Sequence, residues 1–222
     1  MFKNNSQYGS GFFVEFGARN GMSESNTFFF ENQLFWRGLL LEAVPAEQKD
    51  IATNRPLAAV LDGAVCEADQ KIDFSIAENG GWSGRADVYD VSRKSNLKST
   101  LRVSCFTLTT LLDLFGVGHV SYLSVDTEGS ELLALQGFPW STVTIDVLGV
   151  EVLTGTPQRK AKEERLLEYL MSVGMVKWLD HQFADDTKDV FLVPARTQVP
   201  NGNNVKKFLQ TKRLCKKLQR CL

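Results

Sequence analysis

The sequence predicts an α/β protein built on a mostly parallel sheet that helices cover on both faces. Short runs of apolar, β-branched and aromatic residues alternate with segments of helical spacing, and glycines or prolines separate most of these segments. This alternation is typical of parallel sheets, because a helix returns the chain before each new parallel strand. The 222 residues, 43% of them hydrophobic, are sufficient for one packed core.

The first half of the chain predicts three strands and two helices. The predicted strands span residues 12–16, 38–42 and 57–65. The predicted helices between them span residues 26–35 and 45–54. Ser23 or Ser25 is a suitable N-cap for the first helix, and Pro45 is a suitable first residue for the second, which ends before Pro56.

The second half continues the alternation after an insertion. Residues 71–76 predict an added strand, and residues 78–99, rich in Gly, Ser and Asn, predict a functional loop. Further strands are predicted over residues 101–106, 120–126 and 142–152. Further helices are predicted over residues 107–115, 130–136 and 160–173. Two apolar runs, residues 176–179 and 190–193, flank an acidic turn and predict an antiparallel hairpin that closes the sheet.

Positive charge is concentrated at the end of the chain. The 25 basic and 26 acidic residues nearly balance, which gives no strong nucleic-acid signal. Residues 199–222, however, contain seven basic residues and no acidic one. We therefore divide the chain into a domain over residues 1–200 and a basic, partly amphipathic tail over residues 201–222. Three interpretations of the tail stay open: docking on the acidic body, contact with an anionic membrane or nucleic acid, and disorder.

The cysteines and the apolar runs bear on location. Cys66, Cys105, Cys215 and Cys221 are scattered without a C-x-x-C pair, which favours reduced thiols. No run approaches the ~20 apolar residues of a membrane span, and the first eleven residues do not resemble an export signal. The sequence therefore predicts a soluble, cytoplasmic protein.

Acidic residues end four of the predicted strands. They are Glu15, Glu42, Asp126 and Glu151. Ligands of open α/β sheets bind beyond the carboxyl ends of the strands, so these side chains are expected to share one site. Carboxylates there are costly without partners, which favours a ligand site over coincidence.

A glycine turn, from Gly17 to Gly21, follows the first strand. Glycine lets the backbone approach a ligand closely because no Cβ intervenes. Glu42, 25 residues after Gly17, is suitably spaced to accept hydrogen bonds from both hydroxyls of a ribose. Arg19 replaces the second glycine of the dinucleotide fingerprint, which disfavours NAD and favours S-adenosylmethionine.

Several segments resemble the FkbM family of S-adenosylmethionine-dependent methyltransferases. They are FVEFGARNG at residues 13–21, SNT at 25–27, WRG at 36–38, LE at 41–42 and LSVDTEGSE at 123–131. The resemblance runs from about residue 12 to residue 193, and its D-x-E-G-x-E run is the most specific part. It implies a Rossmann-like class I methyltransferase with a seven-stranded sheet, an antiparallel last strand, S-adenosylmethionine as cofactor, and O-methylation of hydroxyls on sugars, macrolides and other small molecules.

The resemblance also implies roles for individual residues. The residues implied at the cofactor are Glu15, Gly17, Ala18, Gly21, Ser25, Asn26, Glu42, Asp62, Gly63, Ala64 and Asp126. Among these, Glu42 is implied at the ribose and residues 62–64 at the adenine. Asp126 and Glu128 are implied at the methyl-transfer centre.

An alcohol must lose its proton when it accepts a methyl group, and a carboxylate is a suitable general base. Asp126 is the first choice, followed by Glu128 and Glu151. Because Asp126 and Glu151 end neighbouring strands of this fold, they are expected to share a proton. A divalent cation between them is the less favoured alternative, and no metal ligand is predicted.

Simpler structural roles compete with these functional ones. Glu128 and Glu131 are also suitable charges for the start of the following helix. Glu151 is also a suitable partner for Arg159 or Lys160 in the next loop. Trp82 either closes over the acceptor or anchors a loop to the core.

Two other functions stay open, namely a catalytically idle interaction domain and, less favoured, a nicotinamide-dependent oxidoreductase.

Methyltransferases of this fold commonly have helices before the first strand that cover the active site, and these are nearly absent here. A cover is therefore expected from residues 78–99, from the tail or from the second subunit of a homodimer. Without such a cover, the site is open to a large acceptor.

Overall fold

The computed structural model describes residues 11–78, 80–89, 97–183 and 186–197. In chain order its elements are β1 (Phe12–Phe16), α1 (Phe28–Leu34), β2 (Arg37–Glu42), α2 (Pro45–Asn54), β3 (Ala58–Asp62), β4 (Ala64–Val65), β5 (Gln70–Ala77), β6 (Gly84–Arg85), β7 (Leu97–Phe106), α3 (Leu108–Phe115), β8 (His119–Val125), α4 (Glu131–Gln136), β9 (Thr144–Leu153), α5 (Pro157–Ser172), β10 (Met175–Gln182) and β11 (Thr187–Pro194).

A seven-stranded sheet forms the centre of the fold, with strand order β10-β11-β9-β8-β1-β2-β3. Strands β3, β2, β1, β8 and β9 are parallel neighbours. The last strand, β11, lies between β10 and β9 and is antiparallel to both. The predicted α/β class, the seven strands and the antiparallel last strand are therefore confirmed.

Alternation along the strands gives the sheet two apolar faces. Val14 and Phe16 of β1 pack in the larger core cluster, which includes buried residues of α3, α4 and α5. Phe13 of β1 packs in the second cluster with Ile51 of α2 and Phe30 of α1. Successive strand residues point to opposite faces, so Glu15 lies on the same face as Phe13, beneath α1 and α2.

The predicted third strand is divided by Gly63. Residues 58–62 form β3 in the large sheet, whereas residues 64–65 form β4 in a second, four-stranded sheet of order β4-β7-β5-β6. Gly63 has a φ of 141°, a backbone conformation that residues other than glycine rarely adopt. The chain therefore changes sheets at this glycine.

The second sheet accounts for the predicted insertion. Strand β5 covers the predicted added strand and pairs antiparallel with β7 along eight residues. The predicted loop over residues 78–99 contains β6 and the start of β7, while residues 79 and 90–96 lie outside the described part.

Side-chain hydroxyls accept N–H groups at the starts of three helices, α1, α3 and α5. Thr107 caps α3, and Thr156 caps α5, which begins at Pro157 rather than at the predicted residue 160 because that threonine accepts the N–H of Arg159. Ser25 Oγ accepts the N–H of Phe28, the first residue of α1.

Two cysteines form a disulfide, so the prediction of reduced thiols is wrong for them. Cys66 follows β4, Cys105 lies near the end of β7, and both side chains are buried. The prediction failed because the two are 39 residues apart in sequence and are brought together only by the pairing of β4 with β7. Disulfides persist mainly in oxidising compartments, so this pair does not favour the predicted cytoplasmic location. Cys215 and Cys221 lie outside the described residues.

Reduction of this disulfide is expected to lower the free energy of unfolding by about 4 kcal/mol, the loop-entropy value for a crosslink of this span. Urea unfolding of the wild type, with and without reductant, measures the effect. Cys66→Ala is the control, because its stability is expected not to respond to reductant. Equal midpoints for oxidised and reduced wild type would contradict the prediction.

No helix within the described residues is long and apolar enough to cross a membrane. The predicted tail, residues 201–222, lies outside the described part of the chain, so its three interpretations stay predictions.

Candidate functional site

A cavity of about 690 Å³ lies at the carboxyl ends of β1, β2, β3, β8 and β9. The second sheet forms one of its walls through residues of β4, β5 and β6. This is the position at which open parallel sheets bind ligands.

Most of the predicted site residues line this cavity. They are Gly17, Asn26, Glu42, Gly63, Ala64, Asp126, Glu128 and Glu151. The remaining predicted residues are absent from the lining, and they are Glu15, Ala18, Gly21, Ser25 and Asp62. For these five, the predicted direct contact with the cofactor has no support from the geometry.

Glu15 is buried beneath the turn that follows β1. Its carboxylate accepts hydrogen bonds from Ser25 Oγ at 2.8 Å, from Thr27 Oγ1 at 2.5 Å and from the N–H of Asn26 at 2.5 Å. Because these donors engage both of its oxygens, Glu15 fixes the segment behind the cavity wall. The same contacts hold Ser25 away from the cavity.

The other three residues that do not line the cavity, Ala18, Gly21 and Asp62, are also kept from it by their local surroundings. Ala18 is fully buried in the second core cluster. A Cβ on Gly21 would lie 2.7 Å from Cγ of Arg55, so Gly21 is needed for packing. Asp62 ends β3 with an exposed side chain, and the cavity wall begins only at Gly63.

Glu42 is the acid at the end of β2, and it is only 5% exposed. Its Oε2 accepts the N–H of Arg19 at 2.8 Å, and its Oε1 accepts the N–H of Val44 at 2.7 Å. Burial raises the pKa of this carboxyl, while the N–H groups of Val44, Arg19 and Ala43 oppose that rise. A carboxylate has about four acceptor sites, so Glu42 is still able to accept a hydrogen bond from a ligand hydroxyl.

An apolar wall lies beside Glu42. It is formed by Ala64, Val65, Ile72 and Phe74 of β4 and β5. Of these four residues, only Ala64 was predicted at the cofactor. The alternation of apolar and polar residues in the added strand was the available signal for Ile72 and Phe74.

Three carboxylates meet at the ends of β8 and β9. Asp126, Glu128 and Glu151 are half-buried, and each offers an oxygen within 4.8 Å of the others. Burial, followed by the negative charges of Glu151 and Glu128, raises the pKa of Asp126 well above its ordinary range. Oxygens this close are able to share a proton or to coordinate a divalent cation.

The loop after β8 presents this acidic group. Glu128 has a φ of 56°, in the left-handed region. Glu131 Oε1 accepts the N–H of Gly129 at 2.7 Å, so Glu131 secures the loop at the start of α4. Burial raises the pKa of the Glu131 carboxyl, and the N–H of Gly129 opposes the rise. Glu131 lies in the first turn of α4, the position expected for a negative charge at a helix start.

Residues 80–85, which we call the strap, close one side of the cavity. A Cβ on Gly81 would lie 3.3 Å from the Arg19 guanidinium, and one on Gly84 would lie 3.3 Å from Cβ of Glu128. The strap therefore packs against both the glycine turn and the acidic group. Trp82 lines the cavity and is 39% exposed. Of the predicted sources of a cover, the segment over residues 78–99 supplies this one.

The cavity fits S-adenosylmethionine in three respects. The apolar wall suits an adenine, and the free lone pairs of Glu42 suit the ribose hydroxyls. The acidic group suits a sulfonium cation. Gly17 is also required, because a Cβ there would lie 2.5 Å from the carbonyl oxygen of Asp126 and would separate the two loops that bound the site.

Comparison with solved structures finds methyltransferases of low similarity. A TehB-like SAM-dependent methyltransferase from Corynebacterium glutamicum is 9% identical, with a TM-score of 0.46 over 84% of this chain and 81% of that chain. A putative rRNA-methylase from Clostridium thermocellum is 10% identical, with a TM-score of 0.47 over 87% of this chain and 99% of that chain. With TM-scores below 0.5, these likenesses add no weight. No curated protein matches the chain.

The family is shown by a domain match. The model of the methyltransferase FkbM domain matches residues 15–182, which is more than half of the chain and includes every strand-end acid described above. The chain belongs to the FkbM methyltransferase family and is an S-adenosylmethionine-dependent methyltransferase.

Proposed function

We propose that this methyltransferase transfers the methyl group to a hydroxyl of a small molecule, sugar or glycan. The observation that carries the proposal is the meeting of Asp126, Glu128 and Glu151 at one end of the cavity. A hydroxyl needs a base when it accepts a methyl group, and a carboxyl whose pKa is raised is a stronger base than an ordinary one. Asp126 lines the cavity and has the raised pKa that this role requires.

The cofactor supplies an activated methyl group, so the protein's own work is positioning and proton removal. Holding an acceptor oxygen in line with the reacting carbon contributes on the order of 7–11 kcal/mol. In the proposal, Asp126 accepts the hydroxyl proton, and Glu128 and Glu151 keep its pKa high and accept hydrogen bonds from neighbouring acceptor hydroxyls. Glu42 holds the ribose, and the apolar wall holds the adenine.

The acceptor would enter beside the strap. Trp82 of the strap lines the cavity, and so do Phe183, Thr187 and Glu151. An aromatic face next to carboxylates suits a polyhydroxylated ring, which has apolar C–H faces and hydroxyl edges.

Docking of the basic tail on an anionic surface and formation of a homodimer remain parts of the proposal about partners.

A screen with S-adenosylmethionine labelled with ¹³C in its methyl group tests the proposal. Sugars, glycolipids and polyketide alcohols are incubated with the wild type, and the product is read by NMR. The expected result is a labelled methyl ether. Label on nitrogen or carbon would overturn O-methylation, and cofactor binding without transfer to any acceptor would favour the idle interaction domain.

Glu151→Gln is expected to shift the rising limb of the pH profile of kcat/KM to lower pH. The negative charge of Glu151 raises the pKa of Asp126, so its removal lowers that pKa, and the base becomes deprotonated at a lower pH. Initial rates between pH 4 and 9 measure the shift. Glu168→Gln, which changes an exposed acid on α5, is the control and is expected to leave the limb in place. If the rising limb of the pH profile of kcat/KM lies at the same pH in Glu151→Gln as in the wild type, the influence of Glu151 on the pKa of Asp126 is contradicted.

A further inference from the structure

Arg55, at the end of α2, is fully buried and forms a four-bond hub behind the cavity wall. Its Nε donates to Glu31 Oε2 at 2.7 Å, and one terminal nitrogen donates to the carbonyl of Gly21 at 3.0 Å and to Ser25 Oγ at 2.9 Å. The other terminal nitrogen donates to Thr27 Oγ1 at 2.8 Å. A planar guanidinium supplies these directions at once, which an ammonium group does not.

Two of the partners of Arg55, Ser25 and Thr27, are also partners of Glu15. The Arg55 guanidinium lies 3.7 Å from the Glu15 carboxylate, and Ser25 and Thr27 bond to both side chains. The N–H of Asn26, between those two residues, donates to Glu15. Every side chain in this group is buried except that of Asn26, so the group forms a continuous polar layer under the segment.

The segment above this layer, residues 17–27, is the cofactor side of the cavity. Its lining residues are Gly17, Arg19, Ser23, Glu24 and Asn26. At its start, the segment is held by hydrogen bonds from the N–H groups of Gly17 and Ala18 to the carbonyl of Leu41 and from the N–H of Arg19 to Glu42. Between Gly21 and α1 it has no regular secondary structure, and there the hydrogen bonds of Arg55 and Glu15 hold it from beneath.

Stability alone is a weak reason for such a group. Removing an arginine and two carboxylates from water has a large desolvation cost, and apolar residues of similar volume often stabilise a core equally well. A polar layer with its hydrogen bonds satisfied does, however, fix one conformation of the backbone that it contacts.

We propose that Arg55 is a positioning residue for S-adenosylmethionine, which sets the shape of residues 17–27 through Gly21, Ser25 and Thr27 and acts together with Glu15 and Glu31. It does not touch the cavity itself. Its effect is therefore on cofactor affinity, with little effect on the rate once cofactor is bound.

Arg55→Lys tests the proposal, because lysine keeps the positive charge but lacks the planar set of N–H donors of the guanidinium. The dissociation constant of S-adenosylmethionine is expected to rise about 10- to 100-fold, as for the loss of two hydrogen bonds, with kcat at saturating cofactor changed less than about threefold. Hydrogen exchange of the amides of residues 17–27 in the cofactor-free protein is expected to accelerate. Arg102→Lys, an exposed arginine paired with Asp73, is the control and leaves both quantities unchanged.

A merely structural role predicts a different pattern. The melting temperature of Arg55→Lys would then fall. At a temperature where the variant is fully folded, however, its affinity for S-adenosylmethionine and the hydrogen exchange of residues 17–27 would match those of the wild type. That result would overturn the proposal. If Arg55→Lys does not fold, Glu31→Gln and Thr27→Val replace it with the same readouts. Absence of cofactor binding by the wild type would instead remove the cofactor assignment, and the exchange measurement would still decide the role of Arg55.

Discussion

Asp126→Asn is expected to lower kcat by about 10²- to 10⁴-fold, the usual contribution of a general base. Asparagine keeps the shape of the side chain and removes the basic oxygen, so binding of S-adenosylmethionine is expected to change by less than about tenfold. Calorimetric titration measures the binding, and transfer of a labelled methyl group to the acceptor identified by the screen measures turnover. The two readouts separate loss of the base from loss of the cofactor.

The other acids of the cluster provide the contrast for this variant. Glu151→Gln is expected to retain turnover with a shifted pH profile. Full turnover in Asp126→Asn together with abolished turnover in Glu151→Gln would contradict the assignment and make Glu151 the base. A chelator is expected to leave wild-type turnover unchanged. Loss of turnover in the presence of the chelator would show that the three carboxylates bind a cation needed for the reaction.

Asp126→Asn also has an expected effect on stability, with a definite sign. The folded-state pKa of Asp126 lies above its unfolded value, so the protonated carboxyl contributes stability at low pH that is lost as the pH rises through the folded-state pKa. Asparagine stays neutral at every pH. The variant should therefore match the wild type below the ordinary pKa of an aspartate and exceed its free energy of unfolding at higher pH, as measured by urea unfolding.

Glu42→Ala is expected to weaken binding of S-adenosylmethionine by at least about 100-fold. A hydrogen bond to a charged group contributes about 1.5–3 kcal/mol, and the ribose offers two hydroxyls to this carboxylate. The variant also leaves the N–H groups of Arg19 and Val44 without their acceptor. Calorimetric titration of each purified variant measures the change.

Asp62→Ala is the matched control, because Asp62 lies beside Glu42 in the register of β3 and β2. It is an acid at the end of a parallel strand, as Glu42 is, but its side chain is exposed and absent from the cavity lining. Its substitution is expected to change cofactor affinity by less than about twofold. Equal losses in the two variants would contradict the assignment of the ribose to Glu42.

The parallel strands and the location of the cavity were predictable because they depend on local patterns. Apolar runs and glycines predicted each parallel strand, and parallel strands bring their carboxyl ends to one edge. The break at Gly63 was missed, because residues 57–65 form one continuous pattern and only a backbone angle divides them.

Side-chain direction was the part of the site that the sequence did not predict. Glu15 is one residue before the end of β1, and strand alternation turns it under α1 and α2 rather than toward the cavity. Arg55 carries no sequence signal, because its partners are 24 to 34 residues away in the chain. The same holds for the disulfide, whose cysteines meet only after β4 pairs with β7.

A crystal structure of the protein with S-adenosylhomocysteine, the demethylated cofactor, is the most direct test of how the cavity binds its cofactor. We expect the ribose hydroxyls on the carboxylate of Glu42, the adenine against Ile72 and Phe74, and the sulfur facing the acidic group at Asp126. A ribose bound to Asp62, or a sulfur directed away from Asp126, Glu128 and Glu151, would contradict it.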